Sequence, residues 1–214
     1  MRKQAIRICN IILLLLLQFG LNFAQQPVDI VDVVQLDSTI VVDLKYATRD
    51  NFLGDTLYAA NICLLRQEVA VQLVKVQQSL RKSNLGLKIW DAYRPLSVQK
   101  KMWEKVPDPR YVADPRKGSM HNRGVAVDVT LVDLQGKELE MPTAFDDFSA
   151  KAQSDFPDVT ERARQNRKIL QDAMRAQGFK TITSEWWHFY YQNYKKYSVL
   201  DVPLENFLNQ KTRF

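Results

Sequence analysis

The chain has only two histidines, and each lies among other residues that can bind a metal ion. His121 belongs to the segment from Ser119 to Asp128, and His188 ends the segment that begins at Glu185. A hydrolytic zinc ion usually takes three protein ligands and keeps one position open for water. His121, Asp128 and His188 supply that number, which leaves Glu185 as a free base. A fold that uses both histidines in one site must bring the middle of the chain to a segment near its end.

The spacing of the first cluster predicts a loop followed by a strand. Residues seven apart point to opposite faces of an unbroken strand, so His121 and Asp128 can share a metal only if the chain bends between them. Gly124 provides a place for that bend. The alternating, β-branched sequence from Val125 to Val132 is typical of a strand, which would carry Asp128.

The second cluster predicts a backbone irregularity. Glu185 and His188 are three apart, a spacing that opposes two side chains on a flat strand and brings them together on a helical turn or a bend. If both serve one site, the chain must bend around Trp186 and Trp187.

The first 24 residues have the pattern of a secretory signal peptide. Three basic residues precede an apolar run from Ile11 to Leu17, and Ala24 offers a small residue for cleavage. The apolar run is short for a transmembrane helix, which needs about 20 residues. We therefore expect an exported protein, periplasmic or otherwise extracytoplasmic, with a mature domain over residues 25–214. An uncleaved anchor is the alternative, because Asn22 departs from the usual small residue two before the cleavage site.

Charge limits the classes of partner that this chain can bind, and cysteine content limits its disulfides. Removing residues 1–24 takes away three basic residues and no acidic one, so the formal charge falls from +6 to +3. Basic and acidic residues alternate without a long Lys/Arg tract, so we expect no nucleic-acid partner and no stable membrane association after cleavage. Cys63 is the only cysteine of the expected mature chain, which excludes an intramolecular disulfide there.

Periodicity predicts a single α+β domain with a mainly antiparallel sheet flanked by helices. Strands and helices alternate without a regular βαβ repeat. The predicted strands are Ile40–Tyr46, Leu87–Asp91, Val125–Val132, Lys180–Thr183 and the segment after His188, and the predicted helices are Leu65–Arg81, ended by Ser83, Asn84 and Gly86, then Ser97–Glu104 and Val159–Gln177.

Several motifs together resemble one enzyme family. The patterns Ser119-x-His121-x-x-Gly124-x-Ala126-x-Asp128 and Glu185-x-x-His188 resemble the D-alanyl-D-alanine metallopeptidases with the Hedgehog/DD-peptidase fold. Further segments are similar to the D-Ala-D-Ala dipeptidases of the VanX type within it. These segments are Lys45-Tyr46-Ala47-Thr48 with Asp50-Asn51-Phe52, Asp91-Ala92-Tyr93-Arg94-Pro95, Phe145-Asp146, and the double tryptophan before His188. The resemblance covers about residues 40–190.

The resemblance implies a role for each candidate residue in a zinc-dependent hydrolysis of the dipeptide D-Ala-D-Ala. One zinc ion would be held by His121, Asp128 and His188, and Glu185 would move the proton of the attacking water. Arg94 would face the developing oxyanion. The substrate-binding residues would be Asp146 for the ammonium group, Ser119 for the carboxylate, and Tyr46, Tyr58, Trp186 and Trp187 as walls, with one tryptophan packed inward and one lining the pocket.

Other interpretations remain open at this stage. The same fold also suits a zinc D,D- or L,D-carboxypeptidase acting on peptidoglycan stem peptides, which Phe145-Asp146 and the double tryptophan disfavour. A non-catalytic cell-wall binding module is a third possibility, disfavoured by Glu185 and Arg94. Asp91 and Arg94 could equally form a structural ion pair before Pro95.

Overall fold

The computed structural model describes residues 29–212, with the backbone alone described for residues 209–212. The predicted signal peptide lies outside these residues. The strands are β1 (Ile30–Asp32), β2 (Val41–Val42), β3 (Leu64–Arg66), β4 (Leu85–Asp91), β5 (Ala126–Asp133), β6 (Phe179–Thr181) and β7 (His188–Tyr191). The α-helices are α1 (Val33–Leu36), α2 (Gln67–Arg81), α3 (Leu96–Lys105) and α4 (Glu161–Ala176). Single 3₁₀ segments span Lys45–Ala47, His121–Arg123, Ala150–Ala152, Tyr194–Lys196 and Leu204–Thr212.

A five-stranded sheet with the order β2-β4-β5-β7-β6 forms the centre of the fold. β2 runs parallel to β4, and the other neighbours in this sheet pair antiparallel. β1 and β3 form a separate antiparallel pair. This arrangement confirms the prediction of an α+β protein with a mainly antiparallel sheet. Within residues 29–212, no helix is both long and apolar enough to cross a bilayer.

The long helices cover the sheet with their apolar faces. In α2, residues Val69, Leu73, Val76 and Leu80 recur at helical spacing and are buried. The helix packs against β4 and α4. Such burial contributes about 1.5–3 kcal/mol for each large aliphatic side chain.

The central strand β5 is buried along its length from Ala126 to Val132. Asp128 is therefore an acid inside an otherwise apolar strand, with 3% of its surface exposed. A buried carboxylate needs charged or hydrogen-bonding partners to offset its desolvation. The fold thus concentrates polar partners around one point of its central strand.

Most predicted elements are confirmed within two residues, but the segment Ile40–Tyr46 is not a single strand. Only Val41–Val42 pairs with β4, and the chain then turns through Lys45–Ala47. The turn buries the side chain of Tyr46 in the core. The backbone carbonyl oxygen of Tyr46 accepts hydrogen bonds from the N–H groups of Leu57 and Tyr58. Tertiary hydrogen bonding overrides the local strand preference here.

The predicted start of the first long helix was also wrong. Residues Leu64–Arg66 form β3, and the helix begins only at Gln67. The strand forms because these residues pair antiparallel with β1. Two further backbone bonds hold it in place: the Leu64 carbonyl oxygen accepts from Tyr93 N–H, and the Gly124 carbonyl oxygen accepts from Arg66 N–H. Gly86 lies within β4 and does not end the helix.

The predicted bend at Gly124 is present. Gly124 follows the turn His121–Arg123 with a φ of 70°, the left-handed conformation that glycine adopts at little cost. A Cβ atom here would lie 3.2 Å from Ile30 Cδ1 and 3.5 Å from the backbone nitrogen of Arg66. The bend is therefore closely packed against the β1–β3 pair.

We expect Gly124→Ala to lower the free energy of unfolding by about 2–4 kcal/mol, because left-handed strain adds to crowding. Gly54→Ala is the matched control. Gly54 also has a positive φ, 63°, but nothing lies within 4 Å of its virtual Cβ, so only the strain of about 1–2 kcal/mol applies. Urea unfolding of both variants measures the difference. Equal losses would show that packing at Gly124 contributes nothing.

Candidate metal centre and active site

Strand pairing brings the candidate metal ligands together. Asp128 in β5 stands directly opposite His188, the first residue of β7. The turn before Gly124 then returns His121 to the same point. The ligand atoms of these three buried residues lie within 4.8 Å of one another.

The distances within this cluster fit a divalent metal ion. His121 Nε2 lies 3.1 Å from His188 Nδ1 and 3.4 Å from Asp128 Oδ2, and His188 Nδ1 lies 2.9 Å from Asp128 Oδ1. A tetrahedral zinc ion with bonds of about 2.0–2.1 Å requires ligand atoms about 3.3 Å apart. Two imidazole nitrogens and one carboxylate, aimed at one point with near that spacing, match the donor set of a catalytic zinc site.

Hydrogen bonds orient the first histidine for this purpose. His121 Nδ1 donates to the carbonyl oxygen of Ala92 at 2.7 Å, which directs Nε2 to the cluster. His188 faces the cluster with Nδ1. Its Nε2 is buried and has no hydrogen-bond partner among the described residues.

The local charges favour an ionised carboxylate beside the imidazoles. Burial alone would raise the pKa of Asp128, but His121 and His188 outweigh burial and hold it well below its usual range. Burial likewise opposes protonation of His121, yet Asp128 and Asp91 raise its pKa. The carboxylate is thus negative at neutral pH and available to a cation.

A bend at Trp186 and Trp187 positions Glu185 beside the cluster, as the spacing predicts. Glu185 Oε2 lies 3.9 Å from His188 Nδ1, and 30% of the Glu185 side chain is exposed. Burial raises the pKa of this carboxyl group. The backbone N–H of Trp186 donates to the carbonyl oxygen of Ala152, and this hydrogen bond holds the bend in place. Glu185 is close enough to serve the cluster through a bound water without being part of it.

Arg94 projects into the same region from the segment after β4. Its Nε and Nη2 donate to Asp91 Oδ2 at 3.1 and 2.5 Å, and its Nη1 donates to Gln99 Oε1 at 2.8 Å. The guanidinium carbon lies 5.1 Å from the ring centroid of Tyr46. Asp91 is itself held by the hydroxyl of Tyr58 at 2.6 Å. The ion pair before Pro95 therefore exists, and it fixes a cation at the edge of the cavity.

Asp146 lines the same cavity as these groups. The hydroxyl of Tyr46 donates to Asp146 Oδ2 at 3.0 Å and lies 3.3 Å from Oδ1. Burial, with the charge of Asp128 as a second cause, raises the pKa of Asp146 to about 8. A carboxylate in this setting gains from any cation that enters the cavity.

One cavity of about 410 Å³ joins these groups. Most of the predicted site residues line it, namely His121, Asp128, His188, Glu185, Arg94, Asp146, Ser119, Tyr46 and Trp187. Its size suits a small molecule, since ligand pockets usually measure about 300–1,000 Å³.

Comparison with known proteins connects this geometry to a family. Residues 26–207 match the peptidase family M15, described as D-ala-D-ala dipeptidase. The D-alanyl-D-alanine dipeptidase of Escherichia coli (strain K12) is 36% identical over 185 residues, covering 86% of this chain and 96% of that protein. The Streptomyces coelicolor protein of the same name is 32% identical over 185 residues, covering 75% and 90%.

The chain belongs to the D-Ala-D-Ala dipeptidase family. Members of this family are metallopeptidases, so the protein is an enzyme of the hydrolase class. Membership agrees with the three-residue metal cluster described above.

Solved structures match the chain at lower sequence identity. A vancomycin-resistance D,D-dipeptidase in complex with a D-Ala-D-Ala phosphinate analogue gives a TM-score of 0.39 at 21% identity, covering 60% of this chain and 51% of that one. The LdcB LD-carboxypeptidase gives 0.43 at 19% identity, covering 79% and 72%. The family assignment rests on sequence alone.

Tyr58 and Trp186, to which the resemblance gives a wall role, are not among the residues that line this cavity. The ring of Tyr58 packs against the ring of Tyr46 with a centroid separation of 5.9 Å, and its hydroxyl donates to Asp91. Trp186 is fully buried, and its indole N–H donates to Thr143 Oγ1 at 2.9 Å. Trp187 lines the cavity, so one tryptophan is packed inward and one is not.

Sequence reasoning missed two fully buried amides beside the family's site residues. Asn122 accepts from the Ser119 N–H through Oδ1 at 2.7 Å and donates from Nδ2 to the Arg94 carbonyl oxygen at 2.8 Å. Gln99 in α3 contacts the Arg94 side chain. The position of Gln99 beside Val98 on a partly apolar helix offered a weak signal, since a buried amide needs partners.

We expect Asp146→Asn to stabilise the metal-free enzyme at high pH. The folded pKa of about 8 lies above the unfolded value of about 3.9, so ionisation of Asp146 opposes folding. Wild-type stability should therefore fall between about pH 4 and pH 8 relative to the variant. At pH 8.5 the gain should be about 1–3 kcal/mol, reduced by water in the cavity. Asparagine tolerates the positive φ of 55° at this position.

Urea unfolding at pH 5 and pH 8.5 measures this effect. Asp108→Asn is the control. Arg110 lowers the pKa of Asp108, so replacing this carboxylate by an amide should bring no gain in stability at high pH. A variant at Asp146 that is equally or less stable than wild type at pH 8.5 would contradict the assignment.

Proposed function

We propose that this protein hydrolyses free D-Ala-D-Ala into two D-alanines with one zinc ion. Membership of the family supports a peptidase, and the names of the relatives above support D-Ala-D-Ala as the substrate. The observation that carries the proposal is Asp146, a partly desolvated carboxylate in the same cavity as the metal cluster.

Asp146 favours a dipeptide over a longer peptide on electrostatic grounds. A free dipeptide presents an ammonium group close to its single peptide bond, whereas the penultimate residue of a stem peptide presents a neutral amide there. An ammonium group offsets the desolvation of the buried carboxylate of Asp146. A neutral amide leaves that carboxylate unpaired, which costs several kcal/mol or forces it to take up a proton. The hydroxyl of Tyr46 keeps the carboxylate oriented toward the cavity.

His121, Asp128 and His188 would hold the zinc ion through Nε2, a carboxylate oxygen and Nδ1. A zinc ion bound there supplies Lewis acidity to the scissile carbonyl group and lowers the pKa of the attacking water. The other chemistry falls to the side chains of this chain.

Glu185 would act as the general base. Its Oε2 takes a proton from the attacking water and passes that proton to the leaving amine. A raised pKa suits this role, because the carboxyl group must both accept and release the proton near neutral pH. General acid–base catalysis of this kind contributes about 10²–10⁴-fold.

Arg94 and Ser119 would recognise charge on the substrate. The guanidinium of Arg94, fixed by Asp91, faces the oxygen on which negative charge develops. The hydroxyl oxygen of Ser119 accepts from the Asn122 N–H at 3.2 Å, so its own hydrogen remains available to the carboxylate of the substrate.

We further propose that the enzyme is exported, on the pattern of residues 1–24. An exported dipeptidase suits recovery of D-alanine from cell-wall turnover better than depletion of a cytoplasmic precursor pool. Cell fractionation with antibody detection tests this proposal, and mature enzyme in the cytoplasm would contradict it.

We expect the zinc-loaded mature protein to release D-alanine from free D-Ala-D-Ala and not from a stem pentapeptide that ends in D-Ala-D-Ala. The reason is the demand of Asp146 for an ammonium group. Chromatographic quantification of D-alanine measures both reactions. Cleavage of the pentapeptide alone would assign a carboxypeptidase, and cleavage of neither with zinc bound would assign a binding module.

We expect Glu185→Gln to keep its zinc while kcat falls by about 10²–10⁴-fold, because an amide cannot take the proton. Metal analysis beside steady-state kinetics separates the two effects. Glu138→Gln makes the same chemical change at a glutamate that pairs with Lys88, and it should leave both quantities unchanged. Parallel loss of zinc and kcat would mean that Glu185 has a structural or ligating role.

A further inference from the structure

Gln99 joins the cavity cation to the cavity wall through one buried amide. It lies on α3 and has no exposed surface. Its Oε1 accepts from Arg94 Nη1 at 2.8 Å, and its Nε2 donates to the carbonyl oxygen of Ala113 at 2.8 Å. Ala113 itself lines the cavity.

The chemistry of the partners fixes the orientation of this amide. A guanidinium only donates hydrogen bonds and a carbonyl oxygen only accepts them, so the oxygen of Gln99 must face Arg94 and its nitrogen must face Ala113. A flipped amide would place two donors together and two acceptors together. Gln99 therefore has a single satisfied conformation.

The hydrogen bonds of Arg94 leave part of its guanidinium for the cavity. The group has five N–H donors. Asp91 takes one from Nε and one from Nη2, and Gln99 takes one from Nη1, which leaves one N–H on each terminal nitrogen. Asp91 binds only one edge of the guanidinium group, the edge formed by Nε and Nη2. The bond from Gln99 to Nη1 stops the plane from rotating about that edge.

The partner at Nη1 is neutral, which matters for charge. Asp91 already offsets the positive charge of Arg94. A second carboxylate would cancel much of the field that remains at the cavity, whereas an amide oxygen holds the group without adding charge.

We propose that Gln99 is a positioning residue for the reaction, which holds the guanidinium of Arg94 in the orientation that faces the reacting oxygen. The inference rests on the proposed function of Arg94. Gln99 acts through Arg94 and through the wall at Ala113, and it does not touch the substrate.

The test compares Gln99→Met with the matched control Gln77→Met. Gln77 is a second fully buried glutamine on a helix, α2, and its amide also bridges two segments, donating to Thr39 and accepting from Leu87 N–H. Both variants should lose similar stability. Only Gln99→Met should lose kcat, by about 10–100-fold, because small displacements of a catalytic group cost up to about that much. Its KM should change by less than about three-fold.

A double-mutant cycle with Arg94→Met distinguishes positioning from general damage. If Gln99 acts through Arg94, adding Gln99→Met to Arg94→Met should lower kcat by less than about two-fold further. The affinity for a phosphinate analogue of the dipeptide gives a second measure, since its anionic oxygen resembles the transition state. It should fall in parallel with kcat in the Gln99 variant. Multiplicative losses in the cycle, or equal losses in kcat for Gln99→Met and Gln77→Met, would overturn the proposal.

Gln99→Glu provides a second variant if Gln99→Met does not fold. It keeps an acceptor for Arg94 and the length of the side chain, but places a negative charge beside the guanidinium. The phosphinate affinity should fall by about ten-fold or more with zinc content unchanged, and an unchanged affinity would overturn the proposal. If the wild-type enzyme cleaves only the stem pentapeptide, the same comparisons are made on that substrate, so failure of the dipeptidase assignment does not decide the role of Gln99.

Discussion

The antiparallel pairing of β5 with β7 sets Asp128 opposite His188, and the rest of the site depends on that register. A slip of one residue would turn one of the two side chains to the other face of the sheet and separate the ligands. The same central strand faces Asp91 across a register shift in β4. Irregular backbone on the flanks then adds the remaining groups, through the turn at His121 and the bend before His188.

The charges of the cavity explain why these residues tolerate each other. Asp128, Glu185 and Asp146 are three acids around one space, and Arg94 is already paired with Asp91. Desolvation opposes the ionisation of each acid, and nearby acids raise the pKa of Asp146 and Glu185 further. A divalent ion at the His121, Asp128 and His188 cluster and an ammonium group beside Asp146 would each relieve part of this repulsion. Binding energy from both can thus be directed at orientation of a very small substrate.

Much of the fold and of the site could be predicted because the signals were local. Helical periodicity gave α2 and α4, and the β-branched run from Val125 gave β5. Gly124 and the three-residue spacing of Glu185 and His188 predicted two bends that the structure contains. The family resemblance, and not a local signal, implied a site role for Arg94, and Arg94 lines the cavity.

Other features depended on contacts that no local pattern encodes. The turn at Tyr46 follows from hydrogen bonds with the N–H groups of Leu57 and Tyr58, and β3 forms because β1 provides a pairing strand from a distant segment. The family resemblance implied a wall role for Tyr58, yet its hydroxyl donates to Asp91. Gln99 has its role only because α3 brings it to Arg94.

Cys63 is buried, unpaired and the only cysteine among the described residues, so this part of the chain holds no disulfide. A metal ion at His121, Asp128 and His188 would join a turn, the central strand and its neighbour, segments separated by up to 67 residues along the chain. Such a bond network would cross-link the three segments as a disulfide does, with the difference that a chelator can remove the metal. Metal supply would then govern the lifetime of the folded chain as well as its turnover.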